Sequence, residues 1–388
     1  MFELIKTVNF NNYQTPKTKQ LALIFLMVLG VNFMSLAQVN TGEKNSLIPP
    51  FMLEKNGRDF DKISVHPNNE EWLFTECSNE INKEGECYVL KFNTKTKQFI
   101  RYGLPENYLY SYASFSPKGN YIIMSRSPKH DGTEEKMRQS FDNGQIAIMR
   151  ADGTDFKVIP IPNGHNLSPI MSPDETKITY WRSSSQRPPG SKSRLVDFDM
   201  REYDLITKQD ALFAGPFHFF EAGNSQYISE DEILISSYGP RKYAQSMGEY
   251  QNKFNGSQVY KLKRGAVDVP DPSLVDVEHA RSPSIDRAGN IYLDGQRMPR
   301  PGSALFRKSL SGEVSLWTLP YLGPHGIRHL TVSPNGEYML FVYVAEGADF
   351  YDKKNAIGQL NTLTGEWLPV NLPPVRSSML ITVKTITN

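Results

Sequence analysis

Cysteine is almost missing from the 388 residues, with Cys77 and Cys87 the only two. Two thiols without a paired spacing speak against a structural zinc site, which takes four ligands. An excess of one charge is missing too: 43 basic side chains meet 42 acidic ones, for a formal net charge of +1. That balance speaks against a dedicated nucleic-acid binder, which carries a basic domain. With 39% hydrophobic residues it also speaks against intrinsic disorder. Long apolar runs are scarce. The best one, LALIFLMVLGVNFM at residues 21–34, falls short of the roughly 18 residues that span a bilayer. Familiar catalytic signatures are lacking as well: there is no glycine-rich phosphate loop, no HExxH and no Gly-x-Ser-x-Gly elbow.

What is present begins with that apolar run. Lys17 and Lys19 precede it, and Ser35-Leu36-Ala37 follows with small residues at the spacing a signal peptidase reads. The expectation is a secretory signal over 1–37, cleavage after Ala37, and a mature chain that does not span a membrane. Export permits a disulfide, and Cys77 and Cys87 flank SNEINKEGE, which reads as the loop of a strand–loop–strand hairpin that brings them close enough to bond.

Glycine (27), proline (26), tyrosine (19) and phenylalanine (21) are plentiful, as suits many strands and turns. They recur with a period. Pro105, Pro162, Pro216, Pro270, Pro320 and Pro373 close six segments of roughly 54 residues each. Four segments open on His66-Pro67-Asn68-Asn69, Ser116-Pro117-Lys118-Gly119, Ser172-Pro173-Asp174-Glu175 and Ser333-Pro334-Asn335-Gly336. Two carry worn versions at Ser229–Glu232 and Asp286–Gly289. Proline sets φ for the turn, and Gly or Asn tolerates positive φ. A strand rich in aromatic and β-branched residues follows each turn, as in NYIIMSR, TKITYWR and EYMLFVY. Third strands then lead into short hairpin turns such as Ala151-Asp152-Gly153-Thr154 and Leu363-Thr364-Gly365-Glu366.

Four strands in each of six units predict an all-β fold, a six-bladed β-propeller with four-stranded antiparallel blades. The Ser-Pro-Asx-Gly turn and the strand behind it resemble the TolB-like (WD40-like) family of propeller repeats. The resemblance covers 62–373, after a lead-in at 38–61 and before a C-terminal strand or tail at 374–388. It implies the fold. For function it leaves open protein-docking scaffolds, enzyme accessory domains and some polysaccharide lyases. One flank is expected to supply the strand that completes a blade and closes the ring.

Strands of a blade alternate in direction, so the short, regular turns share one face and the irregular insertions share the other. Insertions on a rigid scaffold are where function is usually placed. The blade-three insertion RSSSQRPPGSKSR is basic and free of acids, while blade one carries Glu76, Glu80, Glu84 and Glu86. Trp181, Arg182, Arg187, Arg194, Tyr238, Arg241 and Lys242 are therefore candidate ligand-binding residues, because Arg and Tyr together suit an anionic sugar or an acidic partner loop. His165, His279 and His325 recur at matching positions before their turns, with His329 close by and Arg281 and Arg328 repeating likewise. Imidazoles gathered at the channel mouth would supply a general base or hold a divalent metal.

The leading expectation is an exported, non-catalytic propeller, periplasmic or at the cell surface. It binds an envelope protein or an anionic polysaccharide through its insertion-bearing face and needs no cofactor. The alternative is an acidic-polysaccharide lyase with a His/Arg site, metal-bound or not, at the channel mouth.

Overall fold

The structure, a computed structural model, describes residues 58–78, 87–183, 197–242, 257–272, 278–296, 303–319, 326–344, 355–370, 372 and 379–383. The chain divides into two units, Met1–Ala37 and Gln38–Asn388. The first lies outside the described residues. The second holds six blade sheets in a ring, antiparallel and built in chain order apart from a C-terminal strand added to the first, and a further two-stranded sheet. The innermost strands of the blades are Arg58–Val65, Tyr108–Phe115, Asn166–Met171, Ser225–Tyr227, Glu278–Ile285 and Ile327–Val332.

The recurring turn explains itself atom by atom. Gly119 N donates to Ser116 O, Glu175 N to Ser172 O and Gly336 N to Ser333 O, at 2.8–2.9 Å. The fourth residue takes positive φ (80° at Gly119, 65° at Glu175, 74° at Gly336), the conformation that glycine adopts without penalty. The opening serine then accepts from the first amide of the next strand: Tyr121 N, Lys177 N and Tyr338 N each lie 3.0 Å from Ser116, Ser172 and Ser333 Oγ. In the worn blade-five turn Asp286 Oδ1 takes over that role, accepting from Asn290 N at 2.9 Å.

The second strand of each blade is apolar on both sides because each side faces a neighbouring blade. Ile122 and Met124 pack into the core between blades one and two, and Ile123 packs into the core between two and three. Met339 and Phe341 face blade five, while Leu340 and Val342 face blade one. The six buried clusters correspond to the six seams. Burial of this kind, at roughly 25 cal/mol per Å² of apolar surface, is the main force closing the ring.

Two blades depart from four strands. Blade four has Ser225–Tyr227, Glu232–Ser237 and Gln258–Lys263, and its outer position is reduced to a bridge between Tyr260 and Pro272. Pro270 and Pro272 cannot donate to a ladder, which limits pairing there. Blade one has five strands. Met379–Thr382 adds to its outer edge, parallel to Phe99–Gly103. The C-terminal segment therefore straps a blade that is already complete, rather than filling a vacancy in it.

Candidate functional site: the seams, the channel and the insertion-bearing face

Inner strands are held to one another by side chains reaching across seams. Ser64 Oγ of blade one accepts from Phe115 N of blade two (3.1 Å), and Ser284 Oγ of blade five accepts from Val332 N of blade six (3.0 Å). Gln226 of blade four pairs with both backbone groups of Ile285, at 3.0 and 3.3 Å. Register shifts interrupt several inner strands, including Phe60/Ile63, Ser111/Ser114 and Arg281/Ser284. Such bulges re-aim side chains. Tyr112, Ser168 and Ser282 take positive φ at matching places, four residues before their turn residues.

The bulges enclose a central cavity of about 490 Å³ lined by all six inner strands. It extends to the turn face, where Pro67, Pro117, Pro173 and Pro334 line it with Arg287. Beside the cavity, between blades one and two, Asp61 Oδ2 accepts from Tyr112 N at 2.9 Å, and burial pushes its carboxyl above its ordinary value. Lys62 is buried, and its ammonium has no hydrogen-bond partner among the described residues. Burial pushes it down to about 8, with the charge of Asp61 opposing the shift.

His329 faces this group from blade six. It is buried, and its Nδ1 lies 3.3 Å from Ile63 N, whose amide donates to it. Burial first, and Lys62 second, push the imidazole down to about 3. A neutral ring is what that acceptor role requires. Arg281 is similarly engaged: its Nε and Nη2 lie 3.1 and 3.0 Å from Asp294 Oδ2, and Nη2 also donates to Ile327 O of blade six at 3.1 Å.

His165 is buried edge-on to Phe141, with ring centroids 4.9 Å apart. His279 is the second residue of the inner strand of blade five, at φ 51°, and Arg328 lies half-buried in that of blade six. His325 falls outside the described residues. Among the described residues, no three His, Cys, Asp or Glu side chains come together as metal ligands. The structure does pair His218 Nδ1 with Asp199 Oδ1 at 2.6 Å, a contact no sequence spacing announced.

On the insertion-bearing face Trp181 requires a correction. It is fully buried, packs at 5.4 Å against Phe219 and donates Nε1–H to Gly223 O at 2.8 Å. It belongs to the core between blades three and four and offers no surface to a ligand. Arg182 sits nearer that surface, with Nη2 donating to Asn163 O at 3.3 Å and Nη1 3.8 Å from Asp210. Arg201 and Tyr180 also bind Asp210. Tyr238 packs against Phe220 at 5.7 Å. Arg241 and Lys242 form a two-residue strand opposite Phe217–His218. Arg187 and Arg194 lie outside the described residues. Cys77 and Cys87 stand opposite each other in register and are disulfide-bonded, with Cα atoms 4.0 Å apart. No helix among the described residues is long and apolar enough to cross a membrane.

No family model and no curated protein matches the chain. Solved structures do. TolB from Acinetobacter baumannii superposes with a TM-score of 0.53 at 13% identity, over 81% of this chain and 64% of that protein. The fold is that of a TolB-like six-bladed β-propeller. The chain thus spans a little under two thirds of the TolB structure's length. An oligogalacturonate lyase in complex with manganese gives a TM-score of 0.48 at 9% identity, over 81% of this chain and 77% of that one. The β-propeller domain of the trilobed protease from Pyrococcus furiosus gives 0.46 at 14%, over 81% and 83%.

Proposed function

We propose that the chain is an exported binding propeller. In this reading residues 1–37 direct it out of the cytoplasm, and the mature chain works in the periplasm or at the cell surface. Its insertion-bearing face holds an envelope protein or an anionic polysaccharide, without cofactor or catalysis. The observation that carries this reading is the engagement of His329 and Arg281. The alternative enzyme would draw its base or metal ligands from His165, His279, His325 and His329, and its clamp for an enolate from Arg281 or Arg328. Here His329 accepts an amide across the seam between blades six and one, and Arg281 ties blade five to blade six. That engagement supports a structural role for these two residues.

The supporting side of the reading is charge. The blade-three insertion places Arg187 and Arg194 in a stretch with no acid to neutralise them locally. Retention of the mature chain on uronate polymers, and capture of envelope proteins by it, measure binding directly. Retention that weakens as salt rises supports an electrostatic face, because exposed charge pairs are screened. Release of an ultraviolet-absorbing unsaturated uronate would instead show elimination and overturn the non-catalytic reading.

A further inference from the structure

A second cavity, of about 460 Å³, lies beside the seam between blades one and two. Its lining runs from Cys87 and Tyr88, at the start of one strand, through Gly103–Glu106, at the end of another, to Tyr108 and Lys129 of blade two. All of these strand ends share the insertion-bearing face. The C-terminal strap forms part of the wall through Leu380 and Thr382. The volume lies within the range of ordinary ligand pockets, roughly 300–1,000 Å³.

Its chemistry is distinctive. The Arg101 guanidinium lies 5.0 Å from the centre of the Tyr88 ring, and that of Arg126 lies 4.0 Å from the centre of Tyr108. Arg126 is held in place by Nε and Nη2 donating to Gln145 Oε1 at 2.9 and 2.7 Å. Among the described residues none of Arg101, Arg126 and Lys129 forms an ion pair. Several half-buried arginines of other blades are neutralised: Arg201 by Asp210, Arg264 by Glu202, Arg281 by Asp294. The one acid in the lining, Glu106, is exposed.

We infer that this cleft binds a carboxylated sugar, the uronate unit of an acidic polysaccharide. A tyrosine face stacks on the C–H face of a sugar ring, and Arg101 and Lys129, the two cations of the lining, receive its carboxylate, with Arg126 behind Tyr108 adding positive charge. Glu106 at the rim accepts from sugar hydroxyls. The inference rests on the binding reading above and gives it a location: blades one and two, on a sector whose loop acids alone would suggest repulsion of anions.

Calorimetric titration of the mature chain with a galacturonate tetrasaccharide, and with neutral maltotetraose, tests it. The uronate should bind and the neutral sugar should not. Lys129→Glu, Arg101→Glu and Tyr108→Ala should each weaken uronate binding by about tenfold or more. Lys129→Gln and Arg101→Gln, which keep side-chain bulk, should weaken it less while leaving the unfolding temperature unchanged. Equal binding of the neutral sugar, full affinity in the cleft variants, or no uronate binding by the wild type would overturn the assignment. If the wild type captures an envelope protein yet ignores the tetrasaccharide, the cleft assignment falls and the binding function stands.

Discussion

Asn355 holds both backbone groups of Phe60 across the seam between the last blade and the first. Its Oδ1 accepts from Phe60 N at 2.8 Å, and its Nδ2 donates to Phe60 O at 3.1 Å. The two residues are 295 positions apart, so this amide joins the ends of the ring. Around it the apolar core combines Phe60, Ile63, Trp72 and Phe74 with Leu340, Val342 and Ile357. The strap Met379–Thr382 then covers the outer edge of blade one. Closure of this seam therefore combines packing, the bidentate Asn355 amide and further side-chain bonds such as His329 to Ile63 and Trp72 to Tyr338.

Replacing Asn355 with Ala should cost about 2 kcal/mol or more, since it leaves buried backbone groups of Phe60 without this partner. Asn355→Asp keeps an acceptor and loses the donor, so it should destabilise as well. Chemical denaturation of both variants checks this. Unchanged midpoints would show that the seam does not depend on the side chain.

His329 predicts a pH dependence. Its folded value is pushed down to about 3, against 6.5 for the free side chain. Between those values the unfolded chain binds the extra proton, so this residue's contribution to stability is complete above 6.5 and is lost as pH falls toward 3. In His329→Gln the stability curve should be flatter across that window. Unfolding free energies at several pH values distinguish the two slopes.

Lys62 predicts the opposite kind of variant. Its ammonium is buried at a cost, and the folded value of about 8 lies below the ordinary 10.5. The penalty is full below pH 8 and fades by 10.5 as the unfolded chain also loses its proton. Lys62→Met should be more stable than the wild type at pH 7, because an apolar side chain of similar length avoids the desolvation. The advantage should disappear above pH 10.5. A less stable Lys62→Met would mean that the ammonium is satisfied within the channel.

Trp181 and the blade-three arginines separate core from surface. Trp181→Phe should lower stability by about 1–3 kcal/mol through lost volume and the lost bond to Gly223, while leaving polymer affinity unchanged. Arg187→Glu with Arg194→Glu should do the reverse, weakening retention of a long uronate polymer without changing the unfolding temperature. The tetrasaccharide, confined to the cleft between blades one and two, should be indifferent to that pair.

The fold was legible because its cause is repeated. Each Ser-Pro-Asx-Gly turn states its own hydrogen bonds, and strands such as NYIIMSR show apolar residues on both faces, as a stacked blade requires. The helix Glu134–Asp142 in the blade-two insertion carries its own signals, Thr133 as N-cap and Asn143-Gly144 at its end, but it is short and polar, so no apolar periodicity sets it off from the irregular loop around it. The site was much less legible. The matching spacing of His165 and His279 reports only a place in the repeat, and His329 lies beyond a bulge that turns it to Ile63. Trp181 precedes the basic insertion in sequence but belongs to a strand buried on both faces. The cleft joins Tyr88, Tyr108, Lys129 and Leu380, which no local pattern could bring together.

The central claim is that the insertion-bearing face binds an anion while the channel histidine serves the fold. Incubation of the mature chain and of His329→Gln with a polygalacturonate, followed both by retention and by ultraviolet absorbance, tests it most directly. The account predicts salt-sensitive retention by both proteins and no unsaturated product from either. Product formed by the wild type and abolished in His329→Gln would contradict it.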